Sequence, residues 1–169
     1  MAEQFLTLMG DLDEDAQERL SGWYGRLRNA GFLGTQTPGL PYHISLAMIP
    51  LEREREAAAL TERVAGTFAA VPVNVSHLGI FPGGKVLFGG IERNAALDAL
   101  HDACVMEPDP RWTPHISILI DEPAVICRAV PVLLESFQPF TGHITRLHLC
   151  AFWPTREITA AGLGTLKEE

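Results

Sequence analysis

Two short segments of this chain echo each other. Pro-Tyr-His-Ile-Ser-Leu at 41–46 and Pro-His-Ile-Ser-Ile at 114–118 each open a strand-like run after a loop, and each run leads into a helix-like stretch. The echo constrains the fold because it marks two equivalent strand entries in a chain that otherwise alternates between strand and helix periods.

Gln4 to Met9 reads as a first strand, and Asp13 to Asn29 as a helix with Ala16, Leu20, Trp23, Tyr24 and Leu27 at helical spacing. A Gly/Pro/Thr loop from Gly34 to Pro41 feeds the strand Tyr42 to Ile49. Leu51 to Phe68, rich in Ala, Glu, Arg and Leu, predicts a second helix. Val71 to Phe81 and Lys85 to Phe88 read as a hairpin turned at Pro82-Gly83-Gly84. Asn94 caps a helix to Val105, and a Pro-punctuated loop precedes the strand His115 to Ile120. Asp121 to Ser136 is helical in pattern, with a break or late start expected at Pro131. His143 to Trp153 is a final strand, and the tail to Glu169 carries no clear pattern. Strand–helix alternation of this kind argues for a mixed sheet with helices packed on it, an α+β domain filling residues 1–169.

Composition restricts what such a domain can bind. There are 13 basic and 21 acidic residues, a formal charge of −8, and no Lys/Arg-rich stripe. Long duplex nucleic acid, which is gripped through many phosphates, is therefore a poor partner, whereas a small anion held by a few local donors is not excluded. Cys104, Cys127 and Cys150 have no CxxC spacing and read as small hydrophobes. Neither an N-terminal signal nor an apolar run of about 18 residues is visible, so a cytoplasmic protein without membrane contact is expected, with a monomer as the default for an oligomeric state the sequence leaves open.

The echoed triplets carry the chemistry. Residues i and i+2 of a strand share a face, so His43 aligns with Ser45 and His115 with Ser117, while Ile44, Leu46, Ile116 and Ile118 point into a core. If the two strands are neighbours, two imidazoles and two hydroxyls converge. Displacement at phosphorus uses that set. One group removes a proton from the attacking oxygen, another protonates the leaving oxygen, and fixed donors meet the charge on the non-bridging oxygens. Histidine performs either proton transfer near neutral pH. His143-Ile144-Thr145 has the same spacing but lacks the Pro before and the apolar run after, and is read as a decoy.

The two triplets, with Leu78-Gly79-Ile80-Phe81-Pro82 and Lys85-Val86-Leu87-Phe88 between them, resemble the 2H phosphoesterase superfamily, which includes 2′-5′ RNA ligase-like proteins and cyclic phosphodiesterases. The resemblance covers roughly residues 4 to 153. It implies an α+β fold of two pseudo-symmetric β/α lobes, with mixed, mainly antiparallel sheets around a central cleft and one triplet from each lobe. It also implies a metal-independent phosphodiesterase that acts on a 2′,3′-cyclic phosphate or 2′-5′ phosphodiester of a nucleotide or RNA end, without a cofactor. His43 and His115 would be acid and base, in either order, with Ser45 and Ser117 as phosphoryl donors. Both hydroxyl positions are Ser where Thr is commoner, which keeps the donor but loses the stiffness of a β-branched side chain.

Around the triplets, Tyr42, Trp112 and Phe81 are candidates to stack a base, and Arg111 and Lys85 to meet a phosphate. Six histidines raise the question of zinc, but no HExxH or helical His pair is present, and no metal site is expected. Two rival readings fit the same residues: a non-catalytic nucleotide- or RNA-binding module that retains the cleft, and an interaction domain in which both triplets are structural.

Overall fold

A computed structural model describes residues 4–164. Strand β1 (Phe5–Leu12) leads into helix α1 (Glu14–Asn29), whose N-cap Asp13 accepts a hydrogen bond from Ala16 N at 2.9 Å. Glu14 and Asp15 in the first turn and Arg26 and Arg28 in the last complement the helix dipole. Ala16, Leu20, Trp23 and Leu27 form its buried stripe. Strand β2 (His43–Pro50) follows, then a 3₁₀ turn at Leu51–Arg53 and α2 (Glu54–Ala65). Strands β3 (Val71–Ile80) and β4 (Val86–Glu92), helix α3 (Ala95–Cys104), β5 (His115–Ile120), α4 (Pro123–Leu134), β6 (Phe140–Phe152) and β7 (Arg156–Gly162) complete the order.

Several boundaries differ from expectation, each for a local reason. Strand β4 runs on through Gly89-Gly90 to Glu92, past the Phe88 at which the sequence pattern ends it. A Cβ at Gly90 would collide with the ring of His77 on β3, so glycine there lets that ring lie across the strand. Helix α4 starts late, with Pro123 in its first turn, and Pro131 falls within it rather than breaking it. Pro131 lies in the last turn, and the carbonyl it leaves unpaired, that of Cys127, belongs to an exposed residue within reach of water. Cys127 thus departs from the apolar reading, while Cys104 and Cys150 are buried. Burial pushes their thiols up to about 12 and about 11, so neither supplies a thiolate near neutral pH. The unassigned tail yields β7, and positions 165–169 lie outside the described residues.

All pairings between named strands are antiparallel, in the order β2-β1-β6-β3-β4-β5, with β7 also on β6. The one parallel contact among the described residues is the isolated bridge Ala69–Gly164. Strand β6 joins the two halves: residues 140–144 pair with β3 and 144–152 with β1. Although they stand at opposite ends of this order, β2 and β5 approach each other, so the sheet curls into two lobes around a cleft. The loop after α1 straps the lobes together. Thr35 N donates to Ile120 O at 2.7 Å, and Ile120 N donates to Gln36 Oε1 at 3.3 Å. Helix α1 packs near α4 and α2 near α3, and one hydrophobic core spans both lobes. No helix among the described residues is long and apolar enough to cross a membrane.

Candidate active site

The alternation along β2 and β5 is the one read from the sequence. Ile44, Leu46, Ile116 and Ile118 are buried, while His43, Ser45, His115 and Ser117 are half-buried on the opposite face. Each aliphatic side chain gains about 1.5–3 kcal/mol from burial. A one-residue slip would lose that gain and force an imidazole into the core, so hydrophobic burial holds the histidines in the cleft.

Both histidines are held by the same device. His43 Nδ1 lies 2.8 Å from the carbonyl of Pro41, and His115 Nδ1 lies 2.9 Å from the carbonyl of Thr113. A carbonyl only accepts, so each Nδ1 must carry the proton and each Nε2 is left for chemistry. In the neutral ring that Nε2 is a base, and in the charged ring it is an acid. Burial is the main influence on both and holds their pKa values below the ordinary histidine value, with the carbonyl bonds opposing it. His43 also senses the charge of His115, which places the two rings in one electrostatic environment.

Two hollows, of about 560 Å³ and about 580 Å³, flank the seam between β2 and β5. His115, Phe81, Arg111 and Trp112 line the first, His43, Ser117 and Tyr42 line the second, and Ser45 borders both. The structure therefore brings all four triplet residues to one divided cleft. Among the described residues, neither serine hydroxyl has a hydrogen-bond partner in the protein, so both are available as donors.

The surrounding candidates are deployed unequally. Phe81 meets His115 edge-on, with ring centroids 4.6 Å apart. Trp112 is a strut: one ring face stacks on His101 at 3.9 Å, and its indole N–H donates to Ser45 O at 2.9 Å, tying the β5 entrance to β2. Tyr42 is half-buried, and desolvation raises its hydroxyl to about 12, so it stays neutral. Arg111 is exposed at the first hollow. Lys85 lines neither hollow and pairs with Glu122 at 3.0 Å. His143 is held by Asp13, whose Oδ2 accepts from His143 N at 2.6 Å and lies 3.2 Å from Nδ1. It belongs to the α1 cap, not to the cleft. Among the described residues no group of His, Cys, Asp and Glu is arranged to hold a metal ion.

Sequence reasoning passed over three features of the cleft. Phe5, Phe152 and Leu40 add apolar wall to the second hollow beside Trp153, and Arg28 of α1 reaches its edge. Asp11 and His148 are buried on neighbouring strands, with Asp11 opposite His43 in register. The signal for Asp11 was the alternation Thr7, Met9, Asp11, which a strand ended at Met9 conceals.

The curled antiparallel sheet thus presents two histidines with matched anchors and two serine hydroxyls on one cleft. The model of the 2′-5′ RNA ligase superfamily matches residues 14–152, and the chain belongs to that family. Solved structures share the fold. A Thermus thermophilus protein superposes with a TM-score of 0.67 at 16% identity, covering 95% of this chain and 98% of its own. Escherichia coli LigT complexed with ATP gives a TM-score of 0.63 at 20% identity, covering 96% and 98%. The same protein complexed with phosphate gives 0.64 at 20%, with the same coverage. No curated protein sequence matches this one at a significant level.

Proposed function

We propose that this protein is a metal-independent phosphodiesterase that opens a 2′,3′-cyclic phosphate or 2′-5′ phosphodiester at a nucleotide or RNA end. The observation that carries the reading is the pair of matched Nδ1–carbonyl anchors at His43 and His115, which leave two Nε2 atoms on one cleft. One imidazole takes a proton from the attacking water as its oxygen bonds phosphorus. The other protonates the sugar oxygen as that P–O bond breaks. Ser45 and Ser117 donate to the non-bridging oxygens, where negative charge builds.

The cleft suits a small or terminal substrate. Each hollow is of nucleotide scale, and Tyr42 in the second offers a neutral ring to a base. Family membership supports phosphoester chemistry, and the ATP-, 3′-AMP- and phosphate-bound forms of LigT support a small nucleotide as ligand. The test is turnover of 2′,3′-cyclic mononucleotides and 2′-5′ dinucleotides in EDTA. Normal turnover in wild type and His143→Ala, with a loss of about 10²–10⁴ in His43→Ala and in His115→Ala, is the expected result. Activity lost in EDTA and restored by Zn²⁺ or Mn²⁺ would refute the metal-free reading. Tight nucleotide binding without turnover would make the protein a binding module.

A further inference from the structure

The floor of the cleft behind His43 carries charges that stability does not explain. Asp11 on β1 faces His43 on β2 and Arg146 on β6 in register. Directly opposed residues share a sheet face, with Cβ atoms about 4.5–5.5 Å apart. Two positions along β6, His148 lies with Nδ1 3.3 Å from Asp11 Oδ2 and Nε2 2.9 Å from Glu157 Oε2 on β7. Asp11 and His148 are only 4% and 5% exposed. Apolar side chains in such a position generally stabilise a fold as well as a buried ion pair or better.

The geometry shows what the pair does instead. Neither oxygen of Asp11 nor Nδ1 of His148 completes a well-directed hydrogen bond, so charge attraction alone holds them. His43 Nδ1 is committed to Pro41 O, and Asp11 therefore reaches that ring through its field. The charged or titratable groups around His43 are Asp11 on β1, His148 and Arg146 on β6, Glu157 on β7 and His115 on β5. Among them Asp11 acts most strongly, in the direction that favours the imidazolium. In the second lobe no carboxylate among the described residues stands opposite His115; the ring of His77 on β3 lies over that place. Gly90 stands opposite His115, and the rings of Phe81 and Phe88 pack against it edge-on.

We propose that Asp11, braced by His148, is a positioning residue whose charge favours the protonated form of His43 and so biases His43 towards the acid role. This rests on the phosphodiesterase reading for its consequence but not for its test. The full-length protein is titrated by NMR of its imidazole nitrogens, with no substrate present. In Asp11→Asn, His43 is expected to deprotonate about one pH unit lower than in wild type, with His115 moving far less. In His148→Gln, which removes the opposing positive charge, His43 is expected to move the other way. A side chain with a merely structural role would not shift one imidazole in opposite directions in two variants. The proposal is overturned if His43 stays within a few tenths of a unit in Asp11→Asn, if His115 shifts equally, or if both variants shift His43 in one direction. Should Asp11→Asn fail to fold, the sign of the His148→Gln shift decides alone. Absence of turnover in wild type would sink the phosphodiesterase reading and leave this titration intact.

Discussion

His43 and His115 are held by the same bond to the same kind of atom, yet they stand on different floors. Behind His43 runs a row of charges across β1, β6 and β7, in which buried Asp11 and His148 are followed by exposed Glu157. Beside His115 there are Phe81, Phe88 and a glycine over which the ring of His77 lies, with no carboxylate opposite. The strand and its loop entrance repeat between lobes because backbone geometry and core burial dictate them. The floor does not repeat, because side chains on the free face of a sheet answer to local chemistry. The proposed acid–base roles need this combination, equal placement with unequal surroundings.

The comparison breaks first at the histidines themselves. His43→Ala and His115→Ala are each expected to cut turnover of a cyclic phosphate by about 10²–10⁴. If one variant retains near-normal turnover with folding intact, the lobes are not chemical partners. The pH profile sharpens the difference. A bell shape is expected, because one ring must be neutral and the other charged. Burial lowers His115, so the limb on which the base loses its proton should centre below the ordinary value of about 6.5. An acid limb centred above 7 would place the base elsewhere.

How much of this was legible follows from the range of each signal. Period-2 alternation is local, so Ile44, Leu46, Ile116 and Ile118 as core residues, and the outward histidines, were readable from neighbours in sequence. The meeting of β2 and β5 was not, because it depends on β6 serving both lobes and on Thr35 reaching Ile120. The run of β4 past Phe88 was not legible either, because glycine is a poor strand former and the ring of His77 that lies over Gly90 comes from another strand. Lys85 stands near a triplet strand in sequence but is carried away to Glu122. Asp11, near the start of the chain, meets His148 near its end, a contact that no window on one sequence contains.

The third triplet tests whether spacing alone could have sufficed. His143→Ala removes the ring contact with Asp13 but leaves the backbone donor His143 N and the Ala16 cap in place. The expected loss is about 1 kcal/mol of stability, read as a modest fall in Tm, with kcat/KM unchanged. A separate trend should appear in Tm against pH. His148 is raised by Asp11 and Glu157, so its contribution is full below about 6.5 and fades as pH climbs through its folded value. His43 and His115 are lowered, so they act oppositely and weaken the fold as pH drops below about 6.5. His148→Gln should flatten only the alkaline side.

The smallest expected effect is that of salt, and it tests whether the cleft or a wider surface holds the substrate. The chain has 13 basic against 21 acidic residues, and Lys85 and Arg53, which stand near the site in sequence, already pair with Glu122 and Glu56. Of the cations beside the cleft, Arg111 lines the first hollow and Arg28 the second, too few to displace many counterions from a polyanion. A ligand that contacts the protein through one phosphate releases about one counterion. Its affinity should therefore fall by no more than about fourfold between 50 mM and 200 mM salt, against about 10³–10⁵ for a protein making 6–10 phosphate contacts. Titrating a 2′,3′-cyclic mononucleotide and a long RNA across that range separates the cases. A steep slope and much tighter binding for the long RNA would mean that a basic path beyond the two lobes, rather than the two hollows at their seam, sets affinity.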